Sequence, residues 1–354
     1  MDPRGASHRR GGFTILELLV VVAIIALLVA ILLPSLQSAR SHAKTAACSS
    51  NFHHVGLAMA DYLFSSGAVY PPSYVYPDDA DGNWGVKNQS ESRTYGYSHW
   101  SYFLYNEGEV GDRAFQCPSI ERGGHPRTNP GLKKDDWEAG QVDQNGQTGA
   151  NDLQDKQAAR IAYTANAAIM PRNKFTGQLS GGARVNTFVK ENQLKRTGDI
   201  ILAAEFLDNW KAIGIVNSGG VESKSHRPIN PYFHVGSGFN EYSAAINAPG
   251  FIYGTQGDQK FYGLLKLKDV RAATNLLDYS AGVAQINALG RHHPTTQKVY
   301  AKQYGGSGNY LFCDGHVENM TPLQSVENRK WGDAYYSLSG ESKILNMTKV
   351  KTGN

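Results

Sequence analysis

The sequence is short of charge and of cysteine. Lys, Arg, Asp and Glu together make only 19% of its 354 residues, and three residues are cysteine. The formal net charge of +4 is too small to bind nucleic acid through bulk charge, so we predict no nucleic-acid partner. Hydrophobic residues make 41% of the chain, which argues against disorder and supplies material for a packed core.

Signatures of catalysis and of cofactor binding are also missing. No arrangement of nucleophile, base and orienting residue is recognisable. Residues 305–308 (Gly-Gly-Ser-Gly) lack the following lysine of a phosphate-binding loop. Residues 79–82 and 143–146 resemble fragments of calcium loops, but both lack the first acidic ligand and the closing glutamate. We therefore predict a protein that is not an enzyme and has no cofactor, with a calcium site as the weaker alternative.

One long apolar run stands near the amino end. From Phe13 to Leu33 the only charged side chain is Glu17. At about 1.5 Å rise per residue this run reaches roughly 30 Å, which is the thickness of the hydrocarbon core of a bilayer. It therefore predicts a single membrane-spanning helix. The arginines that precede it favour an orientation in which the rest of the chain lies outside the cytoplasm.

The basic leader, the Gly12-Phe13 junction and Glu17 together resemble the class III signal of type IV pilins and pseudopilins. The resemblance implies that a prepilin peptidase removes residues 1–12 and that Phe13 becomes a methylated terminus. It also implies that Glu17 accepts the terminal amine of a neighbouring subunit. The alternative is a plain signal anchor with one tolerated Glu near its cytoplasmic end. A cleaved secretory signal fits worse, because its apolar region is shorter and uncharged.

The apolar run is the first half of one predicted helix over residues 13–64. Pro34 interrupts this helix at the membrane edge, where a proline that kinks the helix is common among pilins. The alternative is that Pro34 ends the span and a separate helix follows. Farther on, Phe52, Val55 and Met59 recur at helical spacing, so we expect this face to pack on a sheet.

Three further segments resemble a large group of prepilin-like proteins of mostly unassigned function. Residues 48–58 resemble its Cys-x-x-Asn-Leu-x-x-Ile-Gly-Leu-Ala pattern, and residues 114–119 resemble its Phe-x-Cys-Pro-Ser segment. The third resemblance is to a processing-associated domain named for a His, nine residues and Asp-Gly. Here twenty residues separate His293 from Asp314, so we expect an insertion that extends the preceding hairpin.

The remaining elements are predicted from local pattern. Asp314-Gly315 between two β-prone runs predicts a type I′ hairpin that pairs Phe312 with Val317. Thr321-Pro322 predicts the start of a short helix to about residue 329. Other strand signals cover 160–169, 199–207 as a central strand, 212–216 and, more weakly, 232–235 and 251–253, while 100–104 fits a short strand or helix. Residues 65–98 read as ordered loops, and the polar residues 123–157 read as a mobile insert.

The three cysteines allow one disulfide and one remaining thiol. We pair Cys48 with Cys117, because the bridge would restrain a weakly specified region; three reduced, buried cysteines are the alternative. Cys313 and His316, with His292 and His293, are candidates for a zinc site or a Cys-His nucleophile pair. They lack a recognisable ligand or orienting spacing, so hairpin structure explains them better and no metal is predicted.

These observations combine into one prediction of fold and function. The fold class is α+β: a long amino-terminal helix packed on an antiparallel sheet with large loop insertions, over an outer domain at 65–354 that includes the hairpin region 290–320. The predicted function is a filament subunit of a type II secretion or type IV pilus-like machine. It would reside in the inner membrane, with the outer domain periplasmic or extracellular, or in a cell-surface filament. The alternative is a membrane-anchored module that captures polysaccharide or protein.

The predicted function as a filament subunit also determines which partners we expect. They are the prepilin peptidase, other copies of the chain and other pilins, the inner membrane, and a secreted cargo or surface polysaccharide.

Overall fold

The computed structural model divides the chain into two compact units, Met1–Ala43 and Lys44–Asn354. The described residues are 14–85, 94–106, 111–173, 186–229, 233–234, 262–263, 285–296, 304–326, 330–332 and 336–337. All described residues of the first unit after Thr14 lie in helix α1 (Ile15–Ser65), whose remaining part belongs to the second unit.

Helix α1 begins with a capping box. The hydroxyl of Thr14 accepts a hydrogen bond from the Glu17 backbone N–H (3.3 Å), and the Glu17 carboxylate accepts one from the Thr14 N–H (2.9 Å). The apolar side chains that follow, as far as Leu36, are 45–80% exposed. Among the described residues, α1 is the one helix that is long and apolar enough to cross a membrane.

The helix continues without a break through Pro34. The alternative that Pro34 ends one helix and begins another is therefore wrong. The kink at Pro34 stays a prediction.

The other regular elements of the described chain are short. The α-helices are α2 (Trp100–Asn106) and α3 (Pro322–Val326). The strands are β1 (Tyr74–Val75), β2 (Ser98–His99), β3 (His125–Pro126), β4 (Gln141–Val142), β5 (Arg160–Ile161), β6 (Tyr163–Ala165), β7 (Ile201–Glu205), β8 (Ile215–Asn217), β9 (Gly220–Glu222), β10 (Phe233–His234), β11 (Tyr262–Gly263), β12 (Gly308–Phe312) and β13 (Val317–Met320). Single 3-10 turns lie at Asp112–Phe115, Glu121–Gly123, Lys134–Asp136, Glu191–Gln193, Thr197–Asp199, Trp210–Ile213 and Gln285–Ala288.

Several helices and strands predicted from the sequence can be compared with these elements. The segment at 100–104 forms part of helix α2. The predicted helix after Thr321 is α3, and it is capped by Thr321, whose hydroxyl accepts a hydrogen bond from the Gln324 backbone N–H (3.2 Å). Strand β10 lies within 232–235. The run 212–216 is a strand only from Ile215, because Trp210–Ile213 forms a 3-10 turn. The weak strand signal at 251–253 lies outside the described residues.

The main sheet has four antiparallel strands in the order β13-β12-β7-β6. All residues of β7 and β12 are buried, so these two strands form its centre, as the apolar run at 199–207 predicts. With α1, this sheet confirms the α+β class. Smaller pairings, β1 with β2, β3 with β5, β4-β9-β8 and β10 with β11, form the remaining sheets.

The second half of α1 packs on this sheet, as its apolar spacing predicts. The ring of Phe52 stacks on Tyr163 of β6, with centroids 3.9 Å apart and planes within 4°. A Cβ at Gly56 would lie 2.9 Å from the Leu311 side chain of β12, so a larger residue here would require Leu311 to shift, and the glycine lets the helix approach the sheet closely. The core continues through Val55, Met59, Ile161, Ala203 and other buried residues.

The polar segment 123–157 is ordered, so the prediction of a mobile insert is wrong. Asp155 is buried, and its carboxylate accepts hydrogen bonds from the backbone N–H of Tyr97 (2.9 Å) and from the backbone and side-chain N–H groups of Asn129 (2.9 and 2.6 Å). These contacts join three stretches of chain. Polar composition suggested disorder, whereas here polar side chains satisfy buried backbone groups.

The Asp314-Gly315 hairpin forms, but not as predicted. Leu311 pairs with Val317, and Gly315 N–H donates to the carbonyl of Phe312 (3.0 Å). Gly315 has a φ of +91°, whereas Asp314 is not among the residues with positive φ. The loop thus has three residues and closes with a left-handed glycine, so the type I′ turn and the pairing of Phe312 with Val317 are wrong.

A tertiary contact accounts for this register. The backbone N–H of Cys313 donates to the carbonyl of Ile200 (2.9 Å), which holds Cys313 at the sheet and moves the turn by one residue. Phe312 then lies opposite His316, and their rings stack with centroids 4.2 Å apart.

We predict that Asp155→Ala destabilises the protein by about 3 kcal/mol, because it leaves buried N–H donors of Tyr97 and Asn129 without an acceptor. The matched control is Asp152→Ala, which removes an exposed carboxylate from the same segment and should change little. Thermal and urea denaturation of the full-length protein in detergent provides the comparison. Equal effects of the two substitutions would mean that Asp155 does not organise the segment.

We also predict that Gly315→Val costs about 1–3 kcal/mol. No atom lies within 4 Å of a Cβ at this position, so the penalty comes from the backbone conformation alone. Gly315→Asn should cost less, because asparagine tolerates positive φ. His316→Ala should also be mild, since this side chain is 39% exposed. The same denaturation assay ranks the three variants, and a Val variant as stable as the Asn variant would contradict the assigned turn.

Candidate functional site

The residues predicted for processing and assembly are Gly12, Phe13 and Glu17, of which the structure describes Glu17 in the first turn of α1. Gly12 and Phe13 lie outside the described residues, so their predicted roles stay predictions. Glu17 is exposed, and one of its carboxylate oxygens, Oε2, accepts hydrogen bonds from the N–H and hydroxyl of Thr14, both at 2.9 Å. A carboxylate has acceptor positions on both oxygens. Glu17 can therefore cap its own helix and still accept a donor from another molecule.

The second unit contains a buried group of polar side chains, which we call the Cys-His-Glu cluster. Its members are Cys48, Cys117, Glu205, His292 and His293, and the side chain of each is at most about 5% exposed. The Sγ atoms of Cys48 and Cys117 are bonded to each other, so the structure contains the disulfide that was paired from the sequence.

Three separate elements bring the two cysteines and the carboxylate together. Cys48 lies on α1, Cys117 follows the turn at Asp112–Phe115, and Glu205 is the last residue of β7. The hydroxyl of Tyr163 donates to the carbonyls of Cys48 and of the residue before Cys117, both at 3.2 Å. The stacked ring of Tyr163 thus also fixes the backbone beside both cysteines.

The two histidines are placed by backbone pairing at the end of β7. The N–H of Gly290 donates to the carbonyl of Glu205 (2.7 Å), and His293 forms an antiparallel bridge with Ser307. Both rings therefore lie beside the Glu205 carboxylate. The insertion expected from the long spacing between His293 and Asp314 stays a prediction.

The polar atoms of the cluster are closely spaced. His293 Nε2 lies 3.0 Å from Glu205 Oε2 and 3.8 Å from Cys117 Sγ. His292 Nε2 lies 3.5 Å from Glu205 Oε2 and 3.6 Å from the same sulfur. On the far side of its ring, His293 Nδ1 lies 3.1 Å from the Thr45 hydroxyl. The Glu205 carboxylate also accepts the backbone N–H of Asn309 at 2.7 Å.

The electrostatics of Glu205 reflect these contacts. Burial alone raises the pKa of this carboxyl, but hydrogen bonds from His292 and His293, together with their charges, lower the pKa to about 2. Glu205 is thus held as a buried carboxylate. Cys48, Cys117, Glu205 and His293 each place one potential ligand atom within 4.8 Å of the others. With the two cysteines as thiolates, this donor set is one that metal ions use.

The third cysteine and His316 are not part of this cluster. The thiol of Cys313 lies beside the Tyr70 hydroxyl, and burial raises the pKa of the thiol. His316 Nδ1 lies 2.6 Å from the Asp314 carboxylate at the hairpin. The zinc or nucleophile group weighed from the sequence, in which His292 and His293 joined Cys313 and His316, is therefore not assembled.

Sequence reasoning missed Glu205 as a site residue. The sequence predicts this residue only as the end of a buried strand. The available signal was a carboxylate that directly follows four apolar residues of a central strand, where an unpaired charge is costly.

The two calcium-like fragments form turns that are capped by aspartate. Asp79 accepts hydrogen bonds from the backbone and side chain of Asn83, at 3.0 and 2.8 Å. Asp143 Oδ1 accepts the backbone N–H groups of Asn145 and Gln147, both at 2.8 Å. These carboxylates thus have a structural use within their own loops.

Comparison with known proteins identifies one motif. The prokaryotic N-terminal methylation motif matches residues 7–33. No curated protein and no solved structure matches the chain. The motif and the apolar helix support a type IV pilin-like protein and are consistent with a membrane anchor, while the likeness of the carboxyl-terminal part to the His-x9-Asp-Gly domain stays a resemblance.

We predict a definite pattern of thiol labelling. Native protein should react slowly with iodoacetamide, because Cys313 is only partly exposed and burial raises the pKa of its thiol. Denatured protein without reductant should take one label, and denatured, reduced protein three. Mass spectrometry counts the labels, and Cys313→Ser should take none without reductant. Three labels without reductant would show that Cys48 and Cys117 are free thiols.

Proposed function

We propose that this protein is a structural subunit, a pilin or pseudopilin, of a type II secretion or type IV pilus-like filament. The observation that carries the proposal is the coincidence of two features at the amino end. The methylation motif at residues 7–33 covers the apolar start of α1, and the only charged side chain between Phe13 and Leu33 is Glu17 in its first turn.

Processing prepares this end for assembly. A prepilin peptidase cuts between Gly12 and Phe13 and removes the basic leader. Phe13 then carries the terminal amine, and methylation of that amine leaves its positive charge in place. The mature chain thus begins with a cation four residues before Glu17.

Glu17 supplies the complementary charge. A carboxylate inside a bilayer needs a partner, because charge is costly in hydrocarbon. The Phe13 amine of a neighbouring subunit provides a charge-assisted hydrogen bond. In the single chain, Glu17 Oε2 caps the helix through Thr14, so the intermolecular bond adds to the cap and does not have to replace it.

The rest of the span contributes packing. Its apolar side chains are 45–80% exposed in the single chain, so they are free to contact neighbouring helices. In lipid such association is driven by van der Waals contact and by interhelical hydrogen bonds. The second unit would then be displayed along the filament as a non-catalytic domain, where it meets cargo or surface polysaccharide.

The test compares Glu17→Ala, Glu17→Gln and the parent in cells that assemble the filament. Gln keeps the capping box with Thr14 but not the charge, so it separates the two roles of Glu17. Both variants should enter the membrane and be cleaved to a mature chain that begins at Phe13. Assembled material should fall by roughly tenfold or more, as expected when one charge-assisted hydrogen bond is lost.

Three measurements decide the outcome: membrane fractionation, intact mass of the mature chain, and electron microscopy of sheared surface material. The matched control is Asp61→Ala, which removes an exposed charge from the second half of α1 and should assemble like the parent. Normal filaments from Glu17→Gln would show that Glu17 does not pair with an amine. A mature chain that keeps Met1 would contradict the filament role and favour a membrane-anchored binding module.

A further inference from the structure

We propose that the Cys-His-Glu cluster is a metal site whose two states exclude each other. In the reduced protein, Cys48, Cys117, Glu205 and His293 bind one zinc-class ion; in the oxidised protein the same two sulfurs form the disulfide. This departs from the expectation, drawn from spacing alone, that the chain holds no metal. The inference goes beyond the filament role and does not depend on it.

The first support is the kind and spacing of the donors. The cluster offers two sulfurs, an imidazole nitrogen and a carboxylate oxygen within 4.8 Å of one another. Zinc ligands lie about 2.0–2.3 Å from the ion, so tetrahedral ligand atoms are roughly 3.3–3.8 Å apart. Shifts of about 1 Å would bring this set into that geometry. Thiolate ligands favour zinc or copper(I) over calcium or magnesium.

The second support is the shell around these donors. The Thr45 hydroxyl lies at Nδ1 of His293, which leaves Nε2 on the side of the sulfurs and the carboxylate. The N–H of Asn309 holds Glu205. Partners of this kind orient the ligands of metal sites. A disulfide alone requires neither the histidines nor the buried carboxylate.

The third support is the balance of charge. Two thiolates and the Glu205 carboxylate carry three negative charges, and all four proposed ligands are at most 2% exposed. Such charge is stable in an interior only when cations compensate it. A divalent ion supplies two positive charges. The imidazole of His292 lies beside the same carboxylate, with Nε2 3.5 Å from Glu205 Oε2.

Reduction and oxidation of the two sulfurs interconvert the two states of the cluster. A dithiol reductant breaks the bond between Cys48 and Cys117, gives two electrons and two protons, and becomes a disulfide itself. Metal binding then displaces the two thiol protons to water. A disulfide oxidant takes two electrons from the thiolates and two protons from water and becomes two thiols. The bond between Cys48 and Cys117 then forms again and the ion is released.

The test uses full-length protein in detergent with cobalt(II), which reports thiolate ligation by its absorption. Protein reduced with dithiothreitol, then freed of it under nitrogen, should bind one equivalent. It should show thiolate-to-cobalt charge-transfer bands and the intense visible bands of a tetrahedral ion, and zinc should displace the cobalt. Oxidised protein should show neither band.

Variants separate this site from other thiols. His293→Ala removes a ligand, and Thr45→Ala removes only its support, for which roughly a 10–100-fold loss of affinity is expected with the bands retained. Cys313→Ser is the control that removes the third thiol and should bind cobalt like the parent.

Three results would each overturn the proposal. The first is a reduced parent that takes up no cobalt, whether or not circular dichroism shows it folded. The second is unchanged affinity in both His293→Ala and Thr45→Ala. The third is loss of the bands in Cys313→Ser. Because the assay reads absorption and not assembly, its outcome is separate from that of the filament proposal.

Discussion

The packing of the second half of α1 on the four-stranded sheet is the contact on which the rest of the second unit depends. Phe52 lies flat on Tyr163, and the bare backbone at Gly56 lets the helix settle against Leu311. This contact also positions Cys48 beside Cys117, because the Tyr163 hydroxyl donates hydrogen bonds to the backbone carbonyls of Cys48 and of the residue before Cys117. One aromatic side chain therefore couples the core, the crosslink and the buried cluster.

What could be predicted from the sequence is what local spacing determines. Local periodicity and cap residues predict the extent of α1, the central strand β7 and the cap of α3. The residues that give each of these signals lie within a few positions of one another in the sequence. The hairpin was predicted but its register was not, since the N–H of Cys313 donates to the carbonyl of Ile200, which directly precedes β7 and lies more than a hundred residues earlier. The order of residues 123–157 was missed for the same reason: Asp155 takes its donors 26 and 58 residues away.

The two candidate sites differ in the same way: one is local in the sequence and the other is not. The motif at the amino end is contiguous, so its residues could be named from the sequence. The buried cluster is not contiguous: His293 meets Glu205 across 88 residues and Cys117 across 176. A carboxylate at the end of one strand and a histidine pair in a later loop share no local pattern. Only the antiparallel pairing around β7 brings them together.

The crosslink between Cys48 and Cys117 also has a mechanical consequence. In the proposed filament, tension would load each subunit through α1. Within the second unit, a pull on α1 reaches Cys48 before it reaches Phe52, so a covalent bond to the segment at Cys117 shares the load ahead of the aromatic stack. The redox state of Cys48 and Cys117 thus determines whether α1 is covalently crosslinked within the second unit or held there by packing alone.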